Sequence, residues 1–458
     1  MKHVHFIGIG GTGLSAIARV LLEKGYAVSG SDREASPLFN AVTKAGARTF
    51  LGHAAEQIAG ADLVVRSSAI PDENPEVTAA VAQGIPVFKR SDFLADLTEG
   101  QDVVAVAGSH GKTTTTAMLI WILEEMGIDP SFIAGGVVSQ LKRNAHFGSG
   151  PYFVIEADEY DNMFLGLAPK IAIVTNIEHD HPDCFPTKAD YKQAFRAFLG
   201  KVRDDGLALI CQEDPCAKAM GAELADQIPV MGYGATLESD YQATEIDFSG
   251  GWPVFRLRFG EEDFGQVRLQ VPGQHNVLNA TGALAAIHQL GLELAPAIQA
   301  LNAFTGAGRR FEVLGEANGV TVIDDYGHHP TEITATLQAA RTRFPQSRIW
   351  AVWQPHTYSR TQSLESDFIE ALRLADQAVV LKIYAAREAN PGYSAQIIAD
   401  ALPSGQATYA DTFEAAQTHL IEQLKPGDVM IVFSAGNATQ VSGAVLNELE
   451  AQASKEIG

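Results

Sequence analysis

Twice in this chain an apolar, β-rich run ends in a glycine turn and passes straight into a helical pattern. The first turn is Gly8-Ile9-Gly10-Gly11-Thr12-Gly13, between a strand-like run at 3–7 and a helical stretch at 14–25. The second is Gly108-Ser109-His110-Gly111-Lys112-Thr113-Thr114-Thr115, after the run 103–108. Strand, glycine turn and helix in that order form the unit of parallel α/β architecture. The turn leaves backbone N–H groups and the positive end of a helix dipole facing whatever binds there. Each such turn reads as an anion site.

The remaining chain keeps the alternation. Strand-like runs at 27–32, 152–158, 171–178, 320–326, 348–354, 378–384 and 429–436 alternate with helical segments, and 252–271 is more β-like. Breaks at 97–102 (LTEGQD) and 305–308 (TGAG) divide the chain into three expected domains, 1–100, 101–308 and 309–458. The expected fold is three α/β domains: a Rossmann-like first, a central one built on a phosphate loop, and a Rossmann-like third. With 458 residues there is ample chain for this.

Charge narrows the partners. Lys and Arg number 33 against 55 Asp and Glu, a net charge of −22. Such a surface repels phosphate backbones and anionic lipid, so no nucleic-acid and no membrane partner is expected. No apolar run approaches the ~20 residues of a membrane span. The N-terminus reads as a first strand, not a signal peptide, and three cysteines fit a reducing compartment, so a cytoplasmic location is expected. Monomer and homodimer both stay open.

The first loop is followed by Asp32 at the end of the next strand, where a Rossmann fold places its ribose acid. A nicotinamide dinucleotide and any other diphosphate-linked nucleotide both fit; the loop alone does not choose. The second loop lacks the first glycine of the full Walker pattern, since position 106 is Val. It keeps a lysine for the β- and γ-phosphates and a hydroxyl for Mg²⁺. The Lys112 tip is expected to face solvent until nucleotide binds, so Lys112→Ala is expected to leave stability nearly unchanged. An NAD-dependent oxidoreductase leaves Lys112 idle. A non-catalytic nucleotide sensor leaves the acids, His181 and Arg360 idle.

Polar groups crowd further strand ends. Glu156-Ala157-Asp158-Glu159-Tyr160-Asp161 closes one strand and offers carboxylates for Mg²⁺, or else is a solvated acidic loop. His179-Asp180-His181-Pro182-Asp183 closes another. Asn276 and Asn279 share a helix face, either capping the helix or holding a purine. Arg309 and Arg310 follow the glycine junction and are candidates for a phosphate in a neighbouring domain, with a surface salt bridge as the alternative. Asp324-Asp325-Tyr326-Gly327-His328-His329-Pro330 and Gln354-Pro355-His356-Thr357-Tyr358-Ser359-Arg360 close two more strands.

Together these segments resemble the Mur ligases of peptidoglycan synthesis, over nearly the whole chain. GSHGKTTT is similar to the family's GTHGKTT, GQHNVLN to its G-x-H-N-x-x-N, and GRRFE and DDYGHHPTEI to its third-domain segments. HFIGIGGTGLSAIA, SGSD, SSAI and QPHTYSRT look most like the members that join L-alanine to UDP-N-acetylmuramate. The runner-up members attach a recycled tripeptide to the same nucleotide sugar. Tyr160 leans that way, because the alanine-adding members usually carry Ser there. After QPH those members usually read R-Y-T-R, so Thr357 leaves one guanidinium missing.

The resemblance implies an ATP- and Mg²⁺-dependent amide-forming ligase. UDP-sugar binding would fall to Gly8, Gly10, Gly11, Thr12, Gly13, Ser31, Asp32, Ser68 and Ala69. ATP would meet Gly108, Ser109, His110, Gly111, Lys112, Thr113, Thr114, His275, Asn276, Asn279, Arg309, Arg310 and Asp325. Metal would be held by Thr113, Glu156 and His181, and the amino acid by His328, His356, Thr357 and Arg360. Lys112, Glu156, His181 and His328 would carry the chemistry.

Overall fold

A computed structural model describes residues 2–386 and 388–457. Its strands form three sheets. The first contains β1 (His3–Ile7), β2 (Ala27–Asp32), β3 (Arg48–Leu51), β4 (Leu63–Arg66) and β5 (Val87–Lys89). Their order is β3-β2-β1-β4-β5, all parallel.

The second sheet begins with β6 (Asp102–Ala107), β7 (Ser131–Val138), β8 (Arg143–His146), β9 (Tyr152–Glu156) and β10 (Ile171–Val174). It continues with β11 (Leu207–Cys211), β12 (Val230–Gly234), β13 (Tyr241–Asp247), β14 (Val254–Phe259) and β15 (Glu262–Arg268). The order is β15-β14-β13-β12-β11-β10-β6-β9-β7-β8, with β7 and β8 antiparallel. The third holds β16 (Glu312–Ala317), β17 (Val320–Asp325), β18 (Ile349–Trp353), β19 (Gln377–Leu381), β20 (Ala407–Ala410) and β21 (Val429–Phe433). Its order is β16-β17-β21-β18-β19-β20, parallel except for the β16–β17 pair.

Contact density divides the chain into two compact units. One runs to Thr244 and includes Arg256–Val267 and Leu278–Phe304; the other comprises Glu245–Phe255, Arg268–Val277 and the chain from Thr305 onward. Within the first unit a continuous apolar core joins β1 (Val4, Phe6) to β6, β9 and β10 (Val103, Ala105, Phe153, Ala172). In the second unit each central strand is buried on both faces. Ile349, Ala351 and Trp353 of β18 pack with Ile333 and Leu337 of the helix Pro330–Arg343. Trp350 and Val352 pack with Val441 and Val445 of the opposite helix. A strand covered on both sides reads as an unbroken apolar run, as Ile-Trp-Ala-Val-Trp does.

The expected elements are present with shifted ends. The first helix spans Thr12–Glu23, starting at the glycine turn and not at 14. Several strands end sooner than the apolar pattern suggests, β21 at Phe433 among them. β9 stops at Glu156, β10 at Val174 and β19 at Leu381. After β10 the backbone leaves the ladder because Thr175 turns under the second glycine loop, its hydroxyl donating to the His110 carbonyl (2.6 Å). The strand-like stretch 252–271 resolves into β14 and β15. Among the described residues no helix is long and apolar enough to cross a membrane.

Candidate functional site

At the first loop, Gly8 adopts φ +89°, a conformation that favours glycine. The exit of β2 shapes the turn. The Ser31 carbonyl accepts from Gly8 N (2.8 Å) and Ile9 N (3.0 Å), and Asp32 Oδ2 accepts from Gly10 N (2.8 Å). Gly11, Thr12 and Gly13 then open the helix, whose first N–H groups have no partner inside it. Ser68 and Ala69 are exposed on the turn after β4, beside Ser67, which lies against Gly8. Two expectations change here. Ser31 is fully buried, and its hydroxyl donates to Glu76 Oε2 (2.6 Å) instead of opening to the loop. Asp32 spends one oxygen on Gly10 and the other on Arg33 N (2.7 Å), so it fixes the loop as well as facing it. Sequence reasoning missed Arg90. A Cβ on Gly13 would stand 2.0 Å from its guanidinium, which also pairs with Asp158 (3.2 Å).

The second loop joins β6 to the helix Lys112–Glu125, which is buried almost all round. Gly108 (φ +139°) lies against Thr175, and Gly111 (φ +84°) against Asn279, whose Oδ1 would stand 2.6 Å from an added Cβ. Only glycine allows either approach. His110 N donates to Asn176 Oδ1 (2.9 Å), and the His110 ring lies 2.9 Å from Glu178.

Lys112 does not face solvent. Its side chain is 12% exposed, and Nζ lies 2.9 Å from Glu159, a carboxylate 1% exposed, and also donates to the Gly108 and Ser109 carbonyls. Burial works to lower the ammonium pKa, but the carboxylates of Glu159, Asp158 and Glu156 outweigh it and hold it at about 12. Tyr191, on the helix Lys188–Leu199, donates to Glu159 Oε1 (3.0 Å) and meets Ser109 Oγ (2.8 Å). Burial, with Glu159 nearby, keeps its phenol protonated. Glu159 and Tyr191 were not assigned from sequence: one was lost among the acids of 156–161, the other among apolar helix residues.

Glu156 ends β9 with both oxygens directed. Oε1 accepts from Thr113 Oγ1 (3.1 Å) and Oε2 from Gly135 N (2.7 Å). Thr113 and Glu156 are thus paired oxygen donors at the mouth of the lysine loop, a set that suits Mg²⁺. His181 (φ +56°) has Nε2 3.7 Å from Glu159 Oε1 and its ring edge-on to Tyr160, with centroids 5.1 Å apart. Tyr160 donates to Asp183 Oδ2 (2.9 Å). Thr114 is buried.

In the second compact unit, Asp325 ends β17 buried, accepting from Gly327 N (2.7 Å) and Phe311 N (2.9 Å). It pins its own turn, where an ATP contact was expected. Burial pushes it and Asp324 up to about 6. Arg309 donates to the Ser434 carbonyl, and Arg309 and Arg310 stack over Tyr326 (5.0 and 4.7 Å), so both guanidinia are engaged within their own unit. His328 Nδ1 lies 3.4 Å from Glu332 Oε2, and its ring is 6.0 Å from His356. The buried Arg360 reaches His356 Nδ1 (3.2 Å). Thr357, at φ +67°, caps the helix Tyr358–Ser363 through its hydroxyl. Asn276 Nδ2 donates to the Pro272 carbonyl (2.7 Å), which ties the start of its helix to the preceding turn but is not a cap, since a capping side chain accepts from a backbone N–H. Desolvation holds His275 down at about 4, hence neutral.

Comparisons with known proteins bear on this geometry. Three family models match in sequence order: "Mur ligase family, catalytic domain" over residues 3–101, "Mur ligase middle domain" over 106–287 and "Mur ligase, glutamate ligase domain" over 309–436. The chain belongs to the Mur ligase family. It is 44% identical to the UDP-N-acetylmuramate–L-alanine ligase of Desulforamulus reducens, with 98% of each chain covered. It is 42% identical to the one from Geobacter sp., again over 98% of each. Among solved structures, the UDP-N-acetylmuramate–alanine ligase of Thermotoga maritima superposes with a TM-score of 0.83 at 28% identity, covering 99% of this Mur ligase and all of that chain. A murein peptide ligase from Psychrobacter arcticus gives 0.72 at 27%, covering 98% and 99%.

Proposed function

We propose that this Mur ligase joins L-alanine to the lactyl carboxylate of UDP-N-acetylmuramate at the expense of ATP, in peptidoglycan precursor synthesis. The observation that carries the choice is the near-full-length identity of 39–44% to relatives named for that reaction. The murein peptide ligase reading is favoured by Tyr160, and Thr357 is a second departure from the alanine-adding pattern. In this assignment residues 1–100 take the nucleotide sugar at Gly8–Gly13, 101–308 take ATP, and 309–458 take the amine.

The chemistry follows from charge. A carboxylate is a poor acylating agent. Its oxygen attacks the γ-phosphorus of ATP, the bond to ADP breaks, and an acyl phosphate results. Lys112, cationic at any physiological pH, offsets the charge on the transferring phosphoryl group. Thr113, Glu156 and His181 would hold Mg²⁺, which when bound supplies further charge compensation at the phosphates. The amine nitrogen then attacks the acyl carbon, and phosphate leaves carrying one former carboxylate oxygen. The amine must shed a proton; His328, with the Glu332 carboxylate to stabilise its imidazolium, is the proposed base. His356 and Arg360 are the proposed carboxylate-binding groups for the amino acid.

Phosphate release from ATP should be measured with UDP-N-acetylmuramate and a panel of amines. L-alanine should give the highest kcat/KM among L-alanine, glycine, L-serine and L-alanyl-D-glutamyl peptides. Inert L-alanine beside an active peptide would transfer the assignment to the peptide ligases. Thr357→Arg should lower the KM for L-alanine, since a guanidinium binds a carboxylate more strongly than a hydroxyl does.

A further inference from the structure

Behind the first glycine loop lies a buried polar cluster that the proposed chemistry does not use. Glu76, in the first turn of the helix Pro75–Ala82, is fully buried. A carboxylate is kept out of water only where charge and hydrogen bonds offset the lost hydration. Here Ser31 Oγ donates to Oε2 (2.6 Å), and His53 Nδ1 lies 3.3 Å from the same oxygen. His5 Nε2, itself fully buried, lies 3.8 Å from Oε1, and the Gln57 amide donates to that oxygen. Burial pushes the carboxyl up, but His5, Ser31 and His53 outweigh it and hold it below its ordinary range.

Ser31 is the link. Its hydroxyl is tied to Glu76 while its carbonyl accepts from Gly8 N and Ile9 N, and the next residue, Asp32, accepts from Gly10 N. Three consecutive N–H groups of the turn are therefore held by two residues at the end of β2, and one of those two is anchored by Glu76. We propose that Glu76 is a positioning residue for the nucleotide-sugar loop, acting through Ser31 to fix the shape in which Gly8–Gly13 meets the pyrophosphate. This rests on the reading that the loop takes the nucleotide sugar.

A part that only fills the core would change melting temperature without selecting among substrates. The test compares wild type, Glu76→Gln, Ser31→Ala and the double variant, with KM for UDP-N-acetylmuramate, ATP and L-alanine and the melting temperature all measured. Each single change should raise the KM for the nucleotide sugar about tenfold, the scale of one charge-assisted hydrogen bond. The KM for ATP should stay within about twofold, and the double variant should be no worse than the singles, because both cut one chain of contacts. If Glu76→Gln folds poorly, Ser31→Ala decides. Lower melting with an unchanged nucleotide-sugar KM, or additive effects, would overturn the inference while leaving the loop assignment intact. A wild-type enzyme that fails to saturate with UDP-N-acetylmuramate would remove both.

Discussion

Removing the Lys112 ammonium should do two separable things. Lys112→Ala takes away the cation proposed to face the transferring phosphoryl group, and kcat should fall ~100-fold or more, about 3 kcal/mol of transition-state stabilisation. It also strands Glu159, buried and left, among the described residues, with Tyr191 and a distant His181. Breaking a buried ion pair from one side costs about 3–5 kcal/mol, so the melting temperature should drop clearly, contrary to what a solvent-facing lysine would give. Lys112→Ala with Glu159→Gln should regain most of the melting temperature and none of the turnover. Full stability in the single variant would mean that the pair contributes little. The glycine turn and the lysine are adjacent in sequence and could be read directly. Glu159 and Tyr191 come from separate elements, and only the folded chain shows that they meet the lysine.

At the scale of elements, β7 passes its Gly135 N–H to Glu156, and a Cβ on Gly135 would stand 2.5 Å from that carboxylate. Gly135→Ala should push the Glu156 side chain aside and raise the Mg²⁺ concentration for half-maximal activity severalfold, with little change in melting because Gly135 is exposed. An unchanged Mg²⁺ titration would argue against the metal role of Glu156. The end of β17 gives a pH dependence. Asp324 is held at about 6 by burial against an ordinary 3.8, so between those values the native state binds more protons than the unfolded one. The Asp324 contribution to stability is therefore present at low pH and is lost as pH rises from about 4 to about 6. Denaturant unfolding between pH 4 and 7 should show a shallower decline in Asp324→Asn than in wild type. Parallel curves would contradict the burial argument. The early ends of β9 and β10 belong here too: apolar alternation predicts where a strand can run, and a side-chain bond such as that of Thr175 decides where it stops.

For the whole molecule, three α/β domains and the two glycine loops were legible because strand, glycine and helix are local patterns. The anchoring of the first loop by Glu76, and the use of Asp325 to pin its own turn, were not, because a carboxylate looks the same in sequence whether it faces a ligand or a buried backbone N–H. In the proposed reaction one chain activates the nucleotide sugar's carboxylate by phosphoryl transfer before the amine attacks. The direct test labels both lactyl carboxylate oxygens of UDP-N-acetylmuramate with ¹⁸O and follows turnover with ATP, Mg²⁺ and L-alanine by mass spectrometry. Each released phosphate should carry one ¹⁸O, and the product amide should retain the other. Amide formation with unlabelled phosphate would contradict the acyl-phosphate route.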